Sequence, residues 1–121
     1  MTYDPNNVFA RILRGELPCD KVYEDEHVLA FRDIRPQTPA HILVIPKGAY
    51  VSLADFSARG SDGELAAVLR VTGKIARDQG LDDSGYRILA NHGRDAHQEV
   101  PHFHIHIFGG RDLGRMVPSA R

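Results

Sequence analysis

The chain has 121 residues, of which 42% are hydrophobic and 26% charged, and its formal net charge is −1. This length predicts a single domain over 1–121, with a core at about 6–111 and a tail at 112–121. The balanced charge disfavours nucleic acid as a partner, and the apolar runs are too short to cross a membrane. With one cysteine and no signal-peptide pattern, the expected location is cytoplasmic.

The first predicted element is a short helix over residues 8–14. Asn7 precedes it as a capping residue, and Gly15 follows it at the position where helices often end. By themselves, the residues on its apolar side indicate only that the helix covers one edge of the core. These residues are Val8, Phe9 and Ile12.

Three strands are predicted next. Residues 21–25 and 27–32 form a hairpin-like pair, and residues 40–46 form a buried strand that Pro46 ends. Asp33 precedes a turn, and His41 enters an otherwise apolar strand. A carboxylate or a histidine in such places is more often structural than catalytic, so both interpretations stay open at this point.

A long amphipathic helix and a fourth strand complete the scaffold. Ser61 and Glu64 form a capping-box pattern that opens the helix, and Gly80 closes it. Residues 85–91 predict the strand, and a polar loop follows it, in a position typical of ligand-binding loops. The predicted apolar face of the helix comprises Leu65, Val68, Leu69, Thr72, Ile75 and Ala76.

The last strand, predicted over residues 102–108, has a histidine at every second position. His102, His104 and His106 are therefore expected on one face, and the apolar residues between them on the other. A row of imidazoles suits an elongated anion such as a nucleotide phosphate. A half-buried strand or a zinc site are the alternatives. The latter is disfavoured because Cys19 is the single cysteine and no Cys-x-x-Cys is present.

Together these motifs resemble the histidine triad superfamily, and within it the bacterial form of the Hint branch of purine nucleoside phosphoramidases. The resemblance spans about residues 6–116. It implies an α+β fold, with a five-stranded antiparallel sheet, one long and one short helix, and a homodimer whose sheets join into ten strands. The matching stretches are Phe31–Ile34, Pro36-Gln37, Pro39–His41, Leu43–Lys47, Tyr86-Arg87, Asn91, Gln98–Val100 and His102–Arg111.

The resemblance also implies roles for four histidines. His104 resembles the nucleophile that attacks the α-phosphorus and becomes transiently nucleotidylated. His102 and His106 resemble flanking residues that orient it and contact phosphate. His41 resembles a fourth histidine linked to His106 in proton movement. A neutral imidazole is a competent nucleophile at neutral pH, and no metal or other cofactor is required.

The implied nucleotide contacts cover the three parts of a purine nucleotide. Asp33 resembles the carboxylate that binds both ribose hydroxyls. The purine pocket is expected to comprise Val8, Phe9, Ile12, Ile34 and Leu43. The phosphate-side contacts are expected to be Asn91, Gln98, Glu99 and Val100.

The chain departs from the family pattern at three places. His97 stands where a glycine is usual, and Glu99 stands where animal relatives have serine. Asn7 and Ala10 occupy the positions of a zinc-binding Cys-x-x-Cys found in some bacterial relatives, which argues against that metal site. We expect the side chain of His97 to face solvent.

The expected function is hydrolysis of adenosine or guanosine 5′-phosphoramidates to the nucleoside monophosphate through a nucleotidyl-histidine intermediate. Two alternatives come from different classes. One is a dinucleoside polyphosphate hydrolase or nucleotidyltransferase of another histidine triad branch. The other is a nucleotide-binding interaction module whose catalysis is vestigial.

Overall fold

The computed structural model describes residues 2–116, which form an antiparallel sheet of five strands and three helices. The strands are β1 (Asp20–Glu24), β2 (Val28–Arg32), β3 (Ala40–Pro46), β4 (Tyr86–Leu89) and β5 (Ile105–Gly109). Their order in the sheet is β1-β2-β3-β5-β4, with every neighbouring pair antiparallel. This confirms the predicted α+β class. Of the predicted tail, residues 117–121 lie outside the described residues.

The helices are α1 (Val8–Leu13), α2 (Leu53–Arg59) and α3 (Asp62–Asp78). The predicted caps of the first and the longest helix are confirmed. The side chain of Asn7 accepts from the Ala10 N–H, and Ser61 and Glu64 make both bonds of a capping box. No helix in the described part of the chain is long and apolar enough to span a membrane.

Two features of the helices differ from the prediction. Helix α2, of seven residues, was not predicted; only its Phe56 is buried, and Ser52 makes no side-chain cap. On α3, the predicted core residue Leu69 is 65% exposed, and Val71 is buried instead. The apolar face of α3 is therefore rotated slightly from the predicted one.

The central strands β2 and β3 are buried on both faces of the sheet. On one face, alternate residues of β2 and β3, including Ala30 and Ile42, pack with Ile107 of β5 against Val68 and Ile75 of α3. The intervening residues of the same strands form a smaller cluster with α1, which comprises Phe9, Leu29, Phe31, Leu43 and Ile45. We call these the α3 face and the α1 face.

The histidine strand is shorter than predicted. β5 begins at Ile105, so His102 and His104 precede the hydrogen-bonded ladder. Pro101 has no N–H, the His102 N–H turns back to the Val100 carbonyl at 2.9 Å, and the Phe103 N–H donates to the Tyr50 carbonyl at 2.7 Å. Alternation nevertheless persists, because Phe103, Ile105 and Ile107 all pack on the α3 face.

Candidate active site

A pocket of about 400 Å³ opens between α1, the turn after β2 and the loop of residues 91–100. We call residues 91–100 the site loop. Eleven of the fourteen residues predicted for the site line this pocket, and five further residues complete it. The predicted ones are Val8, Phe9, Ile12, Asp33, Ile34, Leu43, Asn91, Glu99, Val100, His104 and His106, and the additional ones are Phe31, Arg35, Gln37, Ala96 and His97.

His104 presents one ring nitrogen to this pocket. Its Nδ1 lies 2.7 Å from the His102 carbonyl oxygen, and because a carbonyl can only accept, Nδ1 carries the proton. Nε2 then holds a lone pair. This Nε2 has no hydrogen-bond partner among the described residues. Because every buried side-chain nitrogen or oxygen of those residues has such a partner, Nε2 is accessible. Burial lowers the pKa of His104, which favours the neutral imidazole.

His102 does not line the pocket. Its ring is fully buried, with Nε2 donating to the Pro46 carbonyl at 2.8 Å and Nδ1 accepting from the Tyr3 hydroxyl at 2.6 Å. Burial lowers the pKa of His102 to about 4. The predicted phosphate contact of His102 is therefore wrong for this arrangement, as is a row of three accessible imidazoles. His102 can orient His104 through its carbonyl.

His41 and His106 form a hydrogen-bonded pair, which we call the histidine pair. The Gln37 N–H donates to Nδ1 of His41 at 3.1 Å, so the proton of neutral His41 is on Nε2. That Nε2 lies 3.0 Å from Nδ1 of His106 and donates to it. The Nε2–H of His106 is thereby directed away from His41. The register supports this arrangement, because His106 lies opposite Leu43 on the α1 face.

Burial is the main cause of low basicity in the histidine pair. Desolvation lowers the pKa of His41, and the nearby Asp33 carboxylate opposes that shift. Desolvation, with smaller contributions from His104 and His41, lowers the pKa of His106 to about 4, and Asp33 opposes this shift. Both imidazoles are therefore neutral at pH 7 in the absence of an anionic ligand.

One group among the described residues has the spacing of a metal site. The donor atoms of Asp33, His41 and His106 lie within 4.8 Å of one another. The chemistry of His41 does not fit this role, because the Gln37 N–H occupies the Nδ1 lone pair and leaves the proton on Nε2. A metal on Nε2 would need that proton on Nδ1, facing another N–H. This arrangement favours a proton path over a metal centre.

Asp33 combines the two interpretations that its sequence position left open. Its Oδ1 accepts from the Arg35 N–H at 2.8 Å, which is the turn-capping role. Its Oδ2 lies 3.5 Å from Nε2 of His41, and the residue lines the pocket. Next to it, Ile34 is 88% exposed at the rim. One carboxylate therefore shapes the turn and also faces the ligand space.

The site loop differs from the prediction at Gln98 and His97. The Gln98 side chain donates to the carbonyls of Val51 and Val100 and accepts from the Gly93 N–H, so it holds the loop and does not line the pocket. His97 has a φ of +56°, an unusual conformation for a residue with a side chain. It lines the pocket although it is exposed, which differs from the expectation that it only faces solvent.

The residues that the sequence analysis missed gave weak signals. Phe31 lies in β2, where both faces are buried and alternation does not identify the pocket side. Arg35 and Gln37 lie in the turn after Asp33, where Pro36-Gln37 matches the family pattern but no site role was predicted. Tyr3 lies 99 positions from His102, a separation that no local pattern reveals.

The arrangement provides a nucleophilic lone pair on His104, the neighbouring imidazole of His106 at a centroid distance of 5.0 Å, and a pocket with apolar and polar walls. The chain is 66% identical over 116 residues to a 13.2 kDa HIT-like protein of Azospirillum brasilense, covering 96% of this chain and 95% of that protein. It is 44% identical to the purine nucleoside phosphoramidase of Escherichia coli, covering 91% and 92%.

A solved structure gives the same picture of the fold. The 0.95 Å structure of a histidine triad protein from Clostridium difficile matches with a TM-score of 0.80 and 40% identity, over 99% of this chain and 100% of that one. The HIT domain family matches residues 14–113, which include every histidine of the site. This protein belongs to the HIT domain family.

Proposed function

We propose that this HIT family hydrolase cleaves purine nucleoside 5′-phosphoramidates to the nucleoside monophosphate and an amine. The observation that carries the proposal is the open Nε2 lone pair of His104, whose ring centroid lies 5.0 Å from that of His106. The 44% identity to a protein named purine nucleoside phosphoramidase supports the substrate class.

In the first step, Nε2 of His104 attacks the α-phosphorus and a phosphorus–nitrogen bond forms. The phosphorus–nitrogen bond to the amine breaks, and that amine takes a proton as it leaves. Binding of the anionic phosphate raises the pKa of the histidine pair, which then takes up this proton. The proton enters at Nδ1 of His41 in place of the bond from the Gln37 N–H, and the Nε2 proton of His41 moves to Nδ1 of His106 as the amine is protonated. His106 delivers it from Nε2, and such acid catalysis typically contributes about 10² to 10⁴ in rate.

In the second step, water attacks the nucleotidylated His104. The new phosphorus–oxygen bond forms as the bond to Nε2 breaks, and one water proton returns to the histidine pair. The nucleoside monophosphate leaves and His104 is again neutral with its lone pair on Nε2. The bond from Nδ1 to the His102 carbonyl keeps the ring oriented throughout.

The pocket divides among the parts of the nucleotide. Asp33 is proposed to accept from the ribose hydroxyls, and the side chains of α1, with Ile34 and Leu43, to pack on the purine. The backbone N–H groups of Glu99 and Val100 donate to no described residue, which supports a role in binding phosphate oxygens. Asn91 is proposed to contact the same end, while Gln98 holds the loop in shape.

The test is mass spectrometry of intact protein quenched with acid during turnover of adenosine 5′-phosphoramidate. We expect wild type to gain one adenylyl group and to release the amine, and His104→Ala to do neither while still binding AMP. His27→Ala, in the turn between β1 and β2, is the control and should behave as wild type.

Two outcomes would contradict the proposal. AMP binding without amine release or adduct in wild type would favour the nucleotide-binding module. Cleavage of a dinucleoside polyphosphate, with no cleavage of the phosphoramidate, would favour a hydrolase of another branch. Action in the cytoplasm, without nucleic acid or membrane partners, remains a prediction.

We also propose the homodimer with a ten-stranded sheet. β4 is an edge strand whose Tyr86, Ile88 and Leu89 are partly exposed apolar residues. Such an edge is prone to aggregation unless another strand covers it. Sedimentation should give a dimer for wild type and a monomer for Ile88→Arg, while Leu53→Arg on the exposed side of α2 should stay dimeric. A wild-type monomer would refute the pairing.

A further inference from the structure

The fully buried ring of His102 lies between the N-terminal segment and the end of β3. The carbonyl of Pro46 accepts from Nε2 at 2.8 Å, so the proton of the neutral ring is on Nε2. Nδ1 is left with a lone pair, and the Tyr3 hydroxyl lies 2.6 Å from it. Tyr3 is therefore the donor in this bond, because the Pro46 carbonyl fixes the tautomer of neutral His102.

His102 also fixes the orientation of the proposed nucleophile. Its backbone carbonyl accepts the Nδ1–H of His104 at 2.7 Å. Phe9 packs edge-on against both rings, with centroid distances of 6.3 Å to His102 and 4.9 Å to His104. A shift of residue 102 would therefore move the acceptor that directs Nε2 of His104 into the pocket.

Tyr3 is itself held in place by the contacts of its ring and by those of Asp4, the residue that follows it. Its ring meets the His102 ring edge-on, with a centroid distance of 5.6 Å. The carbonyl of Asp4 accepts from both the backbone and the side-chain nitrogen of Asn7, which caps α1. The segment before α1 is thus tied to the helix that carries Phe9.

We infer that Tyr3 is a positioning residue for the reaction. Its hydroxyl holds the ring of His102 at Nδ1, and the carbonyl of His102 in turn aligns His104. The inference rests on the proposed function, because it assigns Tyr3 a role in presenting the lone pair that attacks phosphorus. Tyr3 does not line the pocket, so its removal should affect catalysis more than substrate binding.

The first test is kinetic and compares Tyr3→Phe with Tyr23→Phe. Tyr3→Phe keeps the ring but leaves a buried acceptor without its donor, so we expect kcat to fall about three- to tenfold with KM changed less than about twofold. Tyr23 is the matched control, because its hydroxyl also makes one hydrogen bond, to Asp25 at 2.8 Å, on the edge strand β1. Tyr23→Phe should keep the wild-type kcat and KM.

The second test is a nitrogen-15 NMR spectrum of the histidine rings, which needs no substrate. Wild type should show His102 with an unprotonated Nδ1 that accepts a hydrogen bond, and Tyr3→Phe should shift this Nδ1 resonance toward that of a free lone pair. The wild-type spectrum decides the tautomer even if the variant does not fold. If Tyr3 only packed against its neighbours, Tyr3→Phe would not shift this resonance. It would also not lower kcat while KM stayed nearly unchanged.

The outcomes separate this inference from the proposed function. A protonated Nδ1 on His102 in wild type, or an unchanged kcat in folded Tyr3→Phe, would overturn the inference while the phosphoramidase activity stands. Absence of turnover in wild type, with the expected His102 spectrum, would instead contradict the proposed function. A lower kcat in both tyrosine variants would show a general loss of stability and would also overturn the inference.

Discussion

The two faces of the sheet use the same strands for different purposes. On the α3 face, Ile42 and Ile107 are fully buried among apolar residues. On the α1 face, the neighbouring positions are His41 and His106, which bond to each other across the strands. The two-residue alternation of a strand thus lets adjacent residues serve a core and a site.

The difference between the faces lies in what burial does. For Ile42 or Ile107 it stabilises the fold directly through removal of apolar surface from water. For a histidine it disfavours the charged form, and every buried side-chain nitrogen of the described residues has a hydrogen-bond partner that limits the penalty. The α1 face therefore uses burial to set protonation, and the α3 face uses it to supply stability.

A substitution in the histidine pair of the α1 face should reduce activity most. His41→Gln keeps a donor for Nδ1 of His106 but removes the group that can share a proton with it. We expect kcat to fall by about 10² to 10⁴, the usual contribution of an acid–base group, with little change in the free energy of unfolding. Steady-state kinetics and urea unfolding check this, with His27→Gln as the control.

A wild-type kcat in His41→Gln would contradict this role of the histidine pair. The hydrogen bond alone would then suffice, and proton sharing by the histidine pair would be excluded. A kcat that is low in His41→Ala but restored in His41→Gln would lead to the same conclusion.

The next effect comes from the α3 face, at a residue adjacent to His106. Ile107→Ala removes a fully buried side chain and leaves a cavity, so the free energy of unfolding should fall by about 2 to 5 kcal/mol. The kcat of the molecules that remain folded should be close to wild type. Leu53→Ala, at a residue that is 53% exposed, should change the stability little.

A large loss of kcat in folded Ile107→Ala would show that the two faces are not separable. Measurement well below the midpoint temperature of the variant distinguishes this from partial unfolding.

The pattern of the faces could largely be predicted from sequence, and the state of each histidine could not. Alternation placed His104 and His106 on the pocket side correctly, because a strand fixes which side a residue faces. It could not show that the His102 ring is enclosed, because the bonds of that ring to Pro46 and Tyr3 join residues far apart in sequence. Gln98 was misplaced for a similar reason, since its bonds to Val51 and Val100 depend on tertiary contacts.

The pH dependence of stability tests whether burial keeps a histidine neutral in the folded protein. Burial lowers the pKa of His102 from 6.5 to about 4 in the folded protein. Below pH 6.5 the unfolded chain therefore binds a proton that the folded protein does not, and stability falls with falling pH until about pH 4. Protonation of His102 in the unfolded chain should by itself lower the free energy of unfolding by about 2 kcal/mol between pH 6.5 and pH 5.

Urea unfolding at several pH values measures this slope. We expect His102→Gln to be less stable than wild type at neutral pH. Between pH 5 and pH 6, the slope of its free energy of unfolding against pH should be smaller than that of wild type by the equivalent of nearly one bound proton. An equal slope in the two proteins would mean that His102 is not held neutral by burial.

A more modest change is expected at Asp33, which lies where the turn, the histidine pair and the ligand space meet. Asp33→Asn keeps an oxygen that can cap the Arg35 N–H but removes the negative charge 3.5 Å from Nε2 of His41. If Asp33 accepts from ribose hydroxyls, affinity for AMP should fall about tenfold, as expected for a lost hydrogen bond to a charged group. Affinity for 2′,3′-dideoxy-AMP, which lacks both hydroxyls, should change little. Equal loss with both ligands would show that the carboxylate acts through the histidine pair and not on the ribose, so this single substitution separates the two roles of the residue.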